Sequence, residues 1–131
     1  MIALDTNVLL RFFTRDDPLQ AAASRALLQT PGEAFFVSDI VLVEFVWSLR
    51  RFYHFSRQET AAVVQSLLDR GNFIVTDRDT AQQATRHLAA GGDFADALVI
   101  AAARAQGCSS LASFDEAMAE NSRDYVIRPT A

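Results

Sequence analysis

Lysine is absent from this sequence: all 12 of its basic residues are arginine. Any mechanism that requires a lysine is therefore excluded. Cysteine occurs once, at Cys108, so no disulfide can form within the chain, and the thiol reads as a small buried hydrophobe suited to a reducing compartment. Glycine and proline are scarce, at 5 and 3 residues, while 50% of the chain is hydrophobic, which excludes a disordered polymer and points to a packed globular protein. No apolar run approaches bilayer length. The opening MIALDTN has no basic segment ahead of a long apolar stretch, so we expect a cytoplasmic protein without a membrane anchor. Positive charge is also in deficit. With 16 acidic residues the net charge is −4, and the field of the whole molecule would not draw in nucleic acid. If four carboxylates belong to one cation-holding site, the remainder balances at 12 against 12 and local basic patches can form.

What is present fits one domain spanning residues 1–131, long enough to bury a single core. Short apolar runs alternate with helical stretches. Ile2 to Leu4, Phe35 to Val37, Phe73 to Val75, Ser110 to Ser113 and Tyr125 to Ile127 read as strands. Between them, Asp16-Asp17 with Pro18, Ser38, Ser56 with Glu59, Thr76 or Asp77, and Asp93 are helix starts, and Gly71, Gly91-Gly92 and Gly107 are stops. Strand and helix in alternation predict an α/β fold, a three-layer α/β/α sandwich around a central parallel sheet of about five strands.

In such a sheet the strand ends, and the first turns of the helices that follow, collect at one edge. Asp5 follows the first strand, Glu44 lies in the second turn after Ser38, Asp96 in the first turn of its helix, and Asp115 just after the fourth strand. Each has an ordinary structural use: Asp5 as a cap, Asp96 in a capping-box variant with Asp93, and Asp115 as a first-turn acid beside the Ser113/Glu116 pair. Glu44 is the exception, because it interrupts the apolar run from Ile40 to Trp47. A buried carboxylate there needs a cation, an arginine or an opening to water. Carboxylates gathered in one place repel by roughly 4 kcal/mol per close pair at an effective dielectric near 20, so they must bind protons or divalent cations. All-oxygen ligands suit Mg²⁺ or Mn²⁺ better than zinc. A hard cation at the end of an α/β sheet points to hydrolysis of phosphate esters by activated water, with no nucleophilic side chain required.

The stretches "LDTNVLLRFF", "SDIVLVEFVWSL", "DFADALVIAAARAQGC" and "LASFDEAM", taken in order, resemble the PIN-domain nucleases, and specifically the VapC toxins of bacterial toxin–antitoxin pairs. By that resemblance Asp5, Glu44, Asp96 and Asp115 fall on the metal-site acids, and Asp93 on an accessory acid. Thr6 and Asn7 fall on the polar pair supporting the first aspartate, and Ser113 on a hydroxyl near the carboxylates. The resemblance implies one or two Mg²⁺ or Mn²⁺ ions, endoribonuclease activity on RNA, a homodimer, and inhibition by a cognate VapB-type antitoxin. Arg11, Arg15, Arg50, Arg51 and Arg78 lie near helix starts or on flanking faces and are the expected phosphate contacts. Phe52, Tyr53 and Phe55, in "RRFYHF", are expected to form a dimer contact, an antitoxin groove or a base-stacking surface, or to pack in the core. His54 and His87 read as structural. A haloacid-dehalogenase-like phosphatase needs a second acid where Asn7 stands, and both it and a receiver domain rely on a lysine. The competing reading from another class is a binding module without catalysis, which engages a protein or nucleic-acid partner.

Overall fold

The computed structural model describes residues 1–131. The chain runs β1 (Ile2–Ala3), α1 (Thr6–Thr14), α2 (Pro18–Leu28), β2 (Phe35–Val37), α3 (Asp39–Arg51), α4 (Arg57–Asp69) and β3 (Phe73–Val75). It continues through α5 (Arg78–Ala89), α6 (Phe94–Ala105), β4 (Leu111–Ala112), α7 (Glu116–Asn121) and β5 (Val126–Ile127). The caps foreseen in the sequence form. Asp17 accepts from the Gln20 amide with Pro18 in the first turn, Ser38 accepts from Val41, and Ser56 and Glu59 close a reciprocal capping box. Each satisfies a backbone N–H that a helix start otherwise leaves without a partner.

All strand pairs are parallel. β1, β2 and β3 form one ladder, in that order, with Ile2 opposite Phe35 and Phe35 opposite Phe73. β4 and β5 form a second, with Leu111 opposite Val126. Five parallel strands agree with the expectation, but the hydrogen bonding divides them into ladders of three and two rather than one continuous sheet. β1 and β4 are each only two residues long and share no ladder, so the outer edge of β1 stays open and Ile2 is 40% exposed. The three-layer α/β/α arrangement is retained.

The core lies between the strands and the helices that pack on them. Leu9, Phe35, Val37, Leu42, Phe45, Leu49, Val64 and Leu67 are fully excluded from solvent and belong to one apolar cluster that reaches from Leu4 to Leu98. Each such side chain contributes about 1.5–3 kcal/mol by leaving water. Met118, Tyr125 and Val126 are buried outside that cluster. They belong to the segment β4–α7–β5, which joins α6 through Gly107, whose φ of +79° suits a residue without a Cβ. Tyr125 ties the segment back: its hydroxyl donates to the Cys108 carbonyl at 2.8 Å, and the Arg104 guanidinium lies 3.9 Å from its ring centroid. Cys108 itself is exposed, not buried as a lone hydrophobic thiol would be. It sits in the turn just past α6, where no core surrounds it. No helix is long and apolar enough to cross a membrane.

Candidate functional site

The parallel register fixes what lies at the C-terminal edge. Ala3 stands opposite Phe36, and the Leu4 amide donates to the Phe36 carbonyl at 2.9 Å, so the chain leaves β1 at Asp5 beside the point where β2 leads into Ser38 and α3. Asp5 caps α1, its Oδ1 accepting from the Thr6 amide at 2.8 Å. The Thr6 side chain is buried, and its hydroxyl donates across 38 residues to Glu44 Oε2 at 3.3 Å. This bond joins the start of α1, which Asp5 caps, to the second turn of α3. Glu44 is exposed, so its carboxylate has the opening to water that an acid in an apolar run requires. Its surroundings remain apolar: Ile40 is 72% and Val99 48% exposed, and they flank a groove of about 350 Å³ between α3 and α6 that Glu44 and Ala95 also line.

Ala95, in the wall of that groove, immediately precedes Asp96 in α6. Asp93 caps α6, its Oδ1 accepting from the Asp96 amide at 2.9 Å. Gly92 precedes it in a buried position where an added methyl group would overlap the His87 ring, so any larger residue there would make His87 turn aside. Burial pushes the half-exposed Asp96 carboxyl above the ordinary aspartate range, and the negative charges of Asp93 and Asp115 push it further, with His87 opposing. Asp115 caps the short α7 through Oδ1, which accepts from Met118 at 2.9 Å, while Ser113 Oγ accepts from the Asp115 amide at 3.0 Å.

Thr6 links the helix start that Asp5 caps to Glu44, and the charges of Asp93 and Asp115 are felt at Asp96. None of the five enters an ion pair. No three acidic, histidine or cysteine side chains form a ready-made metal cluster. In chemical type the donors still fit a hard cation, being oxygen throughout. At Asp5, Asp93 and Asp115 the cap occupies Oδ1 and leaves Oδ2 without a hydrogen bond inside the chain.

The flanking residues divide. Thr6 supports Glu44 through its hydroxyl and Asp5 only through its amide. Asn7 is exposed and its side chain makes no hydrogen bond within the chain. Arg11 is engaged: it donates to Gln20 at 2.7 Å, pairs with Asp16 at 3.1 Å and reaches the Tyr53 hydroxyl at 3.1 Å. Tyr53 in turn donates to Asp16 at 2.6 Å, and that bond above all holds the Asp16 carboxyl below its usual range. Arg78 stands 3.9 Å from Asp69. Arg15 and Arg51 are exposed and unpaired, and Arg15 occupies the left-handed cap position of α1 with φ of 58°. Arg50 is half-buried, its Nη1 donating to the Phe55 carbonyl at 3.1 Å. Sequence reasoning passed over Trp47 and Arg57. Trp47 looks like one more apolar residue in its run, yet it is 53% exposed. Arg57 carries no local signal at all, because its Nη1 bonds to the carbonyls of Leu88 and Gly92, more than 30 residues away.

The chain is a parallel α/β/α protein with acidic side chains, free of ion pairs, just after its strands and in the first turns of its helices. Residues 2–124 match the PIN domain, and the chain belongs to the PIN-domain family. PIN domains are in general nucleases that act on nucleic acid and use divalent metal ions. Comparison with curated proteins returned no match.

Proposed function

We propose that residues 1–131 form one PIN domain that hydrolyses RNA phosphodiester bonds with Mg²⁺ or Mn²⁺, as the VapC-type toxin of a toxin–antitoxin pair. The observation that carries the reading is Asp96: a half-buried carboxylate with a raised proton affinity, crowded by Asp93 and Asp115 and without an arginine partner. Asp5, Glu44, Asp96 and Asp115 would hold the cation, and Asp93 sets the position of Asp96 by starting α6. Thr6 orients Glu44, and Ser113 fixes the turn that presents Asp115. Bound there, a divalent cation supplies Lewis acidity and lowers the pKa of a coordinated water. Arg15, Arg50 and Arg51 are the guanidinium groups left to meet phosphate. The apolar groove beside Glu44, flanked by exposed Ile40 and Val99, supports a protein partner close to the site, either a VapB-type antitoxin or the second subunit of a homodimer. A cytoplasmic location suits such a pair.

The competing reading is a binding module without catalysis, which engages a protein or nucleic-acid partner. Metal dependence separates the two readings. Purified protein with Mn²⁺ should cleave single-stranded RNA, chelation should stop it, and Asp96→Asn should abolish it. Metal at about a hundred times its dissociation constant should also stabilise the folded chain by about 2.7 kcal/mol, seen as a rise in Tm. Equal degradation by wild type and Asp96→Asn, with no rise in Tm, would leave the binding module standing.

A further inference from the structure

A second concavity, of about 170 Å³, opens between α3, the start of α4 and the turn from α5 into α6. Its wall is apolar at six of ten residues, Trp47 and Phe94 among them, and the others are Arg50, Arg57, Gly92 and Asp93. Trp47 is the only tryptophan in the chain, and its ring lies edge-on to Phe52, itself 66% exposed, with centroids 5.2 Å apart. Both arginines are fixed in place through Nη1, Arg50 by the Phe55 carbonyl and Arg57 by the carbonyls of Leu88 and Gly92. Their remaining guanidinium nitrogens make no hydrogen bond within the chain, and neither residue takes part in an ion pair. Two preorganised cations thus face one carboxylate, Asp93, in a protein whose net charge is −4.

We propose that Trp47, Arg50 and Arg57 form a subsite for an unstacked nucleobase and its phosphate on a single-stranded RNA. The nuclease reading supplies the polymer; the chemistry of the cavity supplies the rest. An exposed indole gives a base a stacking surface, and guanidinium groups held in fixed orientation meet phosphate oxygens or the edge of the base. A paired base keeps its faces covered, so the ligand is single-stranded. A partner that covered this cavity without supplying acceptors would strip water from two guanidinium groups and return no hydrogen bonds, whereas a base lies on the apolar wall and its phosphate meets the guanidinium groups. The neighbouring groove at Ile40 and Val99 has no arginine in its lining and suits a protein instead. Asp93 belongs to the wall of the cavity and also caps the helix that carries Asp96, so a nucleotide seated here lies next to the acids.

Tryptophan fluorescence reads the proposal directly. In EDTA, where no cleavage interferes, a short fluorescein-labelled single-stranded RNA of mixed sequence should bind by anisotropy, and its unlabelled form should quench the Trp47 emission. Trp47→Ala should raise Kd about tenfold, the loss expected from one base–aromatic stack, and Trp47→Phe should recover most of it. Arg57→Gln should raise Kd as well and flatten its salt dependence. The proposal is overturned if the RNA binds without quenching and Trp47→Ala binds as wild type does. It is equally overturned if emission shifts to the blue with protein concentration alone, which would put Trp47 in a contact between proteins. In Mn²⁺, Trp47→Ala should raise KM for RNA about tenfold and leave kcat within twofold; cleavage with an unchanged KM sinks the subsite and spares the nuclease. Quenching by RNA in a wild-type protein that cleaves nothing would support the subsite and sink the nuclease.

Discussion

Thr6 offers the sharpest separation of stability from chemistry, because its methyl and hydroxyl groups face different tasks. The residue is 5% exposed and sits at the first position of α1, and its hydroxyl reaches Glu44 Oε2 at 3.3 Å. Thr6→Val keeps the shape and the buried methyl but removes the donor. Glu44 is exposed and can turn to water, so the loss in stability should stay below about 1 kcal/mol. What changes is orientation. A carboxylate no longer held by the Thr6 hydroxyl should cost cleavage about tenfold, equivalent to about 1.4 kcal/mol in the barrier. Thr6→Ser reverses the pattern. It keeps the hydroxyl and deletes a buried methyl, a loss of about 1 kcal/mol that lowers Tm by about 4 °C in a domain of this size, with cleavage within twofold of wild type. Thermal melting followed by circular dichroism gives one axis, and initial rates on single-stranded RNA in Mn²⁺ the other. A valine variant as active as wild type, or a serine variant that loses activity while keeping its Tm, would refute the assignment of Thr6 as the positioning residue for Glu44.

Asp96→Asn should affect the metal-free protein in a pH-dependent way. The raised proton affinity of Asp96 means that its charged form is disfavoured in the fold, so the penalty is absent below the ordinary aspartate value of 3.8, grows as pH rises through the elevated folded value, and persists above it. The variant should therefore match wild type near pH 3.8 and exceed it at neutral pH, and urea unfolding at the two values tests this; an asparagine variant less stable at neutrality contradicts the crowding of Asp93 and Asp115 around it. Phe45→Ala, at a position fully excluded from solvent, should cost about 3–5 kcal/mol, measured by the urea midpoint, and a loss under 1 kcal/mol would mean that Phe45 is not central to the core.

The helix starts were legible because capping is local: Ser56 and Glu59 need only each other, and Asp17 needs only the amide three residues on. The parallel strands were legible from their apolar brevity. The division of the five strands into two ladders was not, since it depends on how β4 meets β1, and two-residue strands carry too few side chains to record a register. The same limit applies at the site. Asp5, Glu44, Asp96 and Asp115 could be picked out one at a time from their places after strands or in early helical turns. How closely they approach is set by packing between distant elements, which no local pattern records. Arg11 looked free for phosphate because Asp16 lies in the following loop and Tyr53 lies 42 residues away; only the fold shows that they hold it. Arg57 was invisible for the same reason, its carbonyl partners being supplied by the α5–α6 turn.

Asp5, Asp93 and Asp115 each begin a helix with one oxygen and leave the other idle, whereas Glu44 and Asp96 begin nothing. A lineage that lost the reaction would still be selected to keep the first three, because the fold depends on them. Drift would show first at the other two. Intact aspartates after strands are thus a poor record of a living enzyme in chains built like this one, and a glutamate set among apolar neighbours is the better witness.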